Sequence, residues 1–330
     1  MILYRSILKQ SFVTAWQHKY LWFFGLFATL LASNFEIELI NRFTTKSSST
    51  LYDWQRWADT GVFEARFWTN LMDIARADTW SFVTIVGVVA ILILLSIALI
   101  WISIVSQIAL VSNSNKAIAA GRRLTVAERK HDMSIGFKEG KRHFWPVFWL
   151  NLFVRIAVYS LALITLIPIV AQRAGGIGGA LLYLLIFIVF LAIALAVSLT
   201  AKYAIAFIVL KQQSVREAIP GAWRLFWANW LPSIEMAFIL FALSIVATVA
   251  IILIVMVLAI PLVLLYVATM ALGSMAVFIA ILLLSALISL GVVIIGGSIV
   301  TVIQTSAWVD FFNQLITGKV QSKLERVFNR

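Results

Sequence analysis

No cysteine occurs in the 330 residues, so disulfides, thiolate chemistry, iron–sulfur clusters and cysteine-ligated zinc are excluded. Histidine is nearly as scarce. His18, His131 and His143 stand in polar or boundary stretches with no HExxH-like spacing, so no metal site is expected. Charge is thin as well: 12% of residues are charged, against about 25% in an ordinary soluble domain. From Ala237 to Val309 there is no charged residue at all. In their place stand apolar residues, 62% of the chain, with a mean hydropathy of +1.01. Water could not cover such a surface, and disorder needs low hydrophobicity. The class that survives is a multi-pass, all-α membrane protein in a single domain, 1–330.

A span needs about 20 apolar residues, because the hydrocarbon core is roughly 30 Å thick and a helix rises about 1.5 Å per residue. The runs predict six transmembrane helices. The first runs from Tyr20 to Asn34, extended backward from Ser11, and is read as uncleaved. The others are Trp80 to Val111, Val147 to Val170, Ala180 to Leu210, Ser233 to Ile260 and Val277 to Trp308. Pro261 to Met275 is expected as an outer loop or a re-entrant piece. Glycines 175, 176, 178 and 179 are expected to make a tight turn between spans three and four.

Charge bookkeeping orients the bundle. Arg5, Lys9 and Lys19 precede span one with no acidic residue. The loop 113–146 carries eight basic residues against three acidic, and the tail 308–330 four against two. Segment 211–231 has Lys211, Arg216 and Arg224 against Glu217. Short cytoplasmic loops collect Lys and Arg, so these four segments share one side and both termini are cytoplasmic. Segment 36–79, with five basic and seven acidic residues, falls outside the cytoplasm. Its Trp54, Trp57, Phe63, Phe67 and Trp68 recur at helical spacing and predict an amphipathic loop. Thr125 and Glu128 spell a capping box opening a basic helix in 113–146.

Three stretches align before spans one, three and five: SFVTAWQHKYLW (11–22), GFKEGKRHFWPV (136–147) and AWRLFWANWLPS (222–233). His18, His143 and Asn229 coincide, as do Phe12, Phe137 and Trp223, and Pro146 with Pro232. Aromatics mixed with Lys and Arg predict amphipathic interfacial helices facing anionic headgroups. The implied unit is approach helix, outward span, inward span, used three times as helical hairpins. Together with QTSAWVDFFNQL near the end, these phrases resemble uncharacterised bacterial six-span proteins similar to the membrane domain found beside glycerophosphoryl diester phosphodiesterases. The resemblance implies six helices in a bacterial inner membrane. It does not imply phosphodiesterase activity, which belongs to a separate soluble barrel.

Ionisable groups inside a bilayer are costly, about 2.5–3.5 kcal/mol at a helix centre on insertion scales. Arg155, Lys202 and Glu235 are the candidates, with Asn151, Gln107 and Gln304 near the same level. They are expected to form a polar cluster in the cytoplasmic third, either as a pocket for an anion or as a snorkelling set with Glu235 paired. Gly297, Thr301 and Thr305 are expected to let span six pack closely within the bundle. No nucleophile elbow, phosphate loop or carboxylate pair emerges. The expectation is therefore a non-enzymatic membrane protein without cofactor or nucleic-acid partner, engaging anionic lipid or organising membrane partners. The alternative is a transporter of a small solute or lipid.

Overall fold

The computed structural model describes residues 3–31, 69, 79–121, 126–171, 177–272 and 275–318. These form helices, with no strand among the described residues. In order they are α1 (Leu3–Gln17), α2 (Leu21–Leu31), α3 (Thr79–Ala120), α4 (Val126–Arg142), α5 (Phe144–Ala171), α6 (Ile177–Leu210), α7 (Val215–Ala228), α8 (Trp230–Leu272) and α9 (Met275–Ile316). The chain divides into two compact units, one of Ala32–Ile102 and one of the rest.

Among the described residues, four helices are long and apolar enough to cross a membrane: Phe82–Ala120, Leu184–Leu210, Trp230–Val267 and Val277–Ile316. Helix α5 adds a shorter apolar stretch, Phe144–Ser160. Segment 36–79, expected as an outer loop, lies outside the described residues apart from 69 and 79, as do Thr125 and the tail beyond 318.

Several boundaries differ from the sequence expectation. Helix α8 runs through Pro261 to Leu272, so 261–272 is helix rather than loop. The run around Pro261 offers no polar side chain to satisfy free backbone, and in an apolar setting only continued helix does so. Gly178 and Gly179 belong to α6 rather than to a turn, and Gly175 and Gly176 lie outside the described residues. Ser11 and Tyr20 do not share one helix, since α1 ends at Gln17 and α2 begins at Leu21. Finally, 113–120 is the last part of α3 rather than a loop.

In the larger unit α8 and α9 form an antiparallel hairpin. Gln304 Nε2 donates to Ser244 Oγ, Gly296 meets the Ile251 side chain, and the Tyr266 and Phe278 rings lie 4.8 Å apart. Burial is confined to one end of this pair. On α8 the buried residues run from Pro232 to Ser244, and on α9 from Ser298 to Leu315. Tyr203, Trp308 and Phe312 fill the centre of that packed end, with ring centroids 5.7 and 6.3 Å from Tyr203. Tyr4, Ile7, Ser11, Ala15 and His18 give α1 one buried stripe at three- and four-residue spacing, while Arg5, Phe12 and Trp16 stay exposed.

Candidate functional site: the packed polar end and its three junctions

The aligned stretches fold alike. Each is a helix, a break and a second helix, with the break at His18, His143 or Asn229. At all three the side chain donates to the carbonyl four residues back. His18 Nδ1 lies 3.2 Å from Thr14 O, His143 Nδ1 3.2 Å from Glu139 O, and Asn229 Nδ2 3.2 Å from Leu225 O. The backbone N–H of the same residue reaches the same carbonyl. Each therefore closes the end of its approach helix, where carbonyls lose their intrahelical partners. A ring or amide NH at this position does what an aliphatic side chain cannot, which accounts for the polar match in an apolar neighbourhood.

The register of burial matches too. Ser11, Gly136 and Ala222 are buried at one aligned position, and Ala15, Gly140 and Phe226 four residues later. Small residues at the first position let the approach helix sit close. A Cβ on Gly136 would come within 2.4 Å of Asn113 Nδ2, and one on Gly140 within 2.7 Å of both Val105 O and Val105 Cγ1. The opposite faces are exposed and carry Trp16 on α1, Lys138, Lys141 and Arg142 on α4, and Trp223, Arg224 and Trp227 on α7. Glu217, in the first turn of α7, accepts the Ser214 backbone N–H at 3.4 Å, an N-terminal box that the sequence reading had missed.

Of the six polar residues singled out from sequence, Gln107, Asn151, Lys202, Glu235 and Gln304 are partly covered by protein and Arg155 is exposed. Asn151 Nδ2 donates to Gln107 Oε1 at 2.9 Å, tying α5 to α3. Gln304 bonds Ser244, tying α9 to α8. Tyr4 OH donates to Glu235 Oε2 at 2.6 Å, tying α1 to α8. Lys202 Nζ stands 5.1 Å from the Trp308 ring centroid, a cation–π distance. Arg155 lies one helical turn beyond Asn151 and is not without a partner. Removing the Tyr4 hydroxyl leaves a carboxylate short of a donor. Tyr4→Phe is expected to cost about 1.5–3 kcal/mol, read as a lower thermal midpoint in detergent, with the fold otherwise unchanged.

Other polar residues were hidden by the bookkeeping. Asp310 was counted with the basic tail, and Asn113, Ser114 and Asn115 with the cytoplasmic loop. The structure buries Asp310 and Asn113. Ser306 Oγ donates to Ser114 Oγ at 3.1 Å and Asn313 Nδ2 to Asn115 Oδ1 at 2.7 Å, so a polar seam joins α3 to α9. Asp310 stands between those positions on α9 and accepts from Gln314 Nε2 at 3.1 Å. The sequence signal was available as a helical repeat of Ser306, Asp310 and Asn313 along one face. Gly297 and Thr301 meet α2, where Thr29 Oγ1 lies 2.9 Å from Thr301 Oγ1, and Gly25 faces the Ser298 backbone.

Comparison with family models, with curated proteins and with solved structures finds no match.

Proposed function

We propose that this chain is a non-enzymatic, six-span protein of a bacterial inner membrane with both termini in the cytoplasm. In this reading it engages anionic lipid headgroups, or organises membrane partners, through α1, α4 and α7. Each of these helices opens one of three repeated hairpins. The resemblance to six-span bacterial membrane domains belongs to the same proposal. The observation that carries it is the face each approach helix leaves uncovered, tryptophan or basic side chains or both, opposite a buried stripe. Tryptophan favours the boundary between acyl chain and water, and each basic side chain near an anionic surface contributes about 1 kcal/mol.

The test is native mass spectrometry of protein released from nanodiscs of phosphatidylcholine and phosphatidylglycerol. Wild type is expected to retain phosphatidylglycerol selectively. The variant Lys138→Gln/Lys141→Gln/Arg142→Gln is expected to lose that preference by about tenfold or more, following about 1 kcal/mol per charge. Equal retention of both lipids by wild type would overturn the lipid reading.

A transporter would need a path through the packed end. The Asn151–Gln107 and Gln304–Ser244 contacts instead pair polar groups with each other, which favours a structural use.

A further inference from the structure

We infer that the hydrocarbon core crosses only the outer halves of the long helices, so that the packed polar end lies below it, at and beneath the inner headgroups. This assignment concerns which surface meets acyl chains and stands whatever the approach helices bind. Helices α8 and α9 have 43 and 42 residues, about 63 Å of rise each. The hydrocarbon core is about 30 Å thick, half that length, and an ordinary tilt of about 20° removes little of the excess. Part of each helix must therefore lie outside the core.

Burial chooses the part. Among the described side chains, none beyond Ser244 on α8 and none before Ser298 on α9 is buried. From 245 to the end of α8 at Leu272, and from the start of α9 at Met275 to 297, there is no charge over 28 and 23 residues by their numbering, about 42 and 34 Å. Each stretch is long enough to cross the hydrocarbon core once, and the excess on α8 lies at its far end. Their exposed side chains include Met256 at 61%, Leu264 at 67% and Leu287 at 66%. Nothing aqueous stabilises such a surface, and acyl chains of that depth cover it completely.

The other unit repeats the measure independently. On α3, Trp80 and Trp101 are both exposed and stand 21 positions apart, about 31 Å. The residues between them carry no charge, so the two indoles bracket one core as interfacial belts do. On α6 Leu181, Leu184, Leu185, Ile188 and Val189 are exposed, Phe190 is the first buried side chain among the described residues, and burial recurs from Ala194 onward.

On this assignment Gln107, Lys202, Glu235 and Gln304 all lie inward of the core. The midplane insertion cost is then never incurred, and the polar contacts need only the cover that the packed helices supply. The sequence-derived fifth span, Ser233 to Ile260, would slide outward.

Because the chain has no cysteine, single-cysteine labelling reports one site at a time. Nitroxides would be placed at exposed α8 positions by Phe238→Cys, Ile245→Cys, Ile252→Cys, Met256→Cys, Ile260→Cys and Leu264→Cys. The protein would be reconstituted into vesicles of phosphatidylcholine and phosphatidylglycerol. The ratio of oxygen to nickel-chelate accessibility reads depth. It is expected to peak at or next to Met256, with Phe238 reading as headgroup or water. A second series on α9, Val277→Cys, Leu287→Cys and Ile295→Cys, is expected to peak at Leu287. A peak at Ile245 or further inward, about 17 Å away along α8, would overturn the assignment. So would a profile without a peak on either helix.

Discussion

Tyr203→Ala is expected to lower the stability of the purified protein by about 3–5 kcal/mol and to reduce its accumulation in membranes sharply. Tyr203 is 1% exposed and is the largest of the fully buried side chains. Its ring packs against Trp308 and Phe312, and its hydroxyl lies 2.7 Å from Ser233 Oγ. Truncation opens a cavity where α6, α8 and α9 meet, and large helices cannot collapse into it locally. Tyr203→Phe separates the two contributions. It keeps the ring and loses one hydrogen bond, while Ser233 keeps its bond to Asn229 O at 2.6 Å. A loss of only about 1 kcal/mol is expected. Thermal midpoints in detergent for the two variants test this. Equal losses would mean that the hydroxyl, rather than the packed ring, dominates.

Gly140→Ala is expected to be the most damaging conservative change in the approach helices, costing about 1–3 kcal/mol through overpacking. The added methyl group would meet the Val105 backbone, which cannot rotate away as a side chain could. Gly25→Ala would meet the Ser298 carbonyl at 2.7 Å and is expected to behave similarly. Gly87 and Gly291 are the controls, because a Cβ there meets nothing within 4 Å. Alanine at either position should be neutral or stabilising by up to about 1 kcal/mol, since glycine is the poorer helix former. A matched midpoint for Gly140→Ala and Gly291→Ala would refute the close contact between α4 and α3.

Much of the local structure was legible in the residues. The alignment of His18, His143 and Asn229 pointed to three equivalent junctions but not to a helix break at each, and the structure gives all three the same bond to the carbonyl four residues back. The spacing of Gly297 and Thr301 pointed to close packing, and α2 supplies it. Helix ends were less legible. Pro261 reads as a stop, yet an apolar surrounding leaves helical hydrogen bonding as the cheapest state for the backbone. Asp310 reads as part of a basic tail, because a charge in a sequence does not declare whether a neighbouring helix covers it.

Composition alone determined the class: too little charge for water, no thiol chemistry, and apolar runs whose only satisfied backbone is a helix. It also determined the sidedness expected from lysine and arginine. What only the tertiary structure decided is which apolar residues are covered by protein and which are left bare. Leu240 and Leu264 are identical to a hydropathy scale, but one is 4% and the other 67% exposed. Transfer from water rewards burial against a neighbouring helix and burial among acyl chains almost equally. The two become distinguishable only once the helices have chosen where to pack.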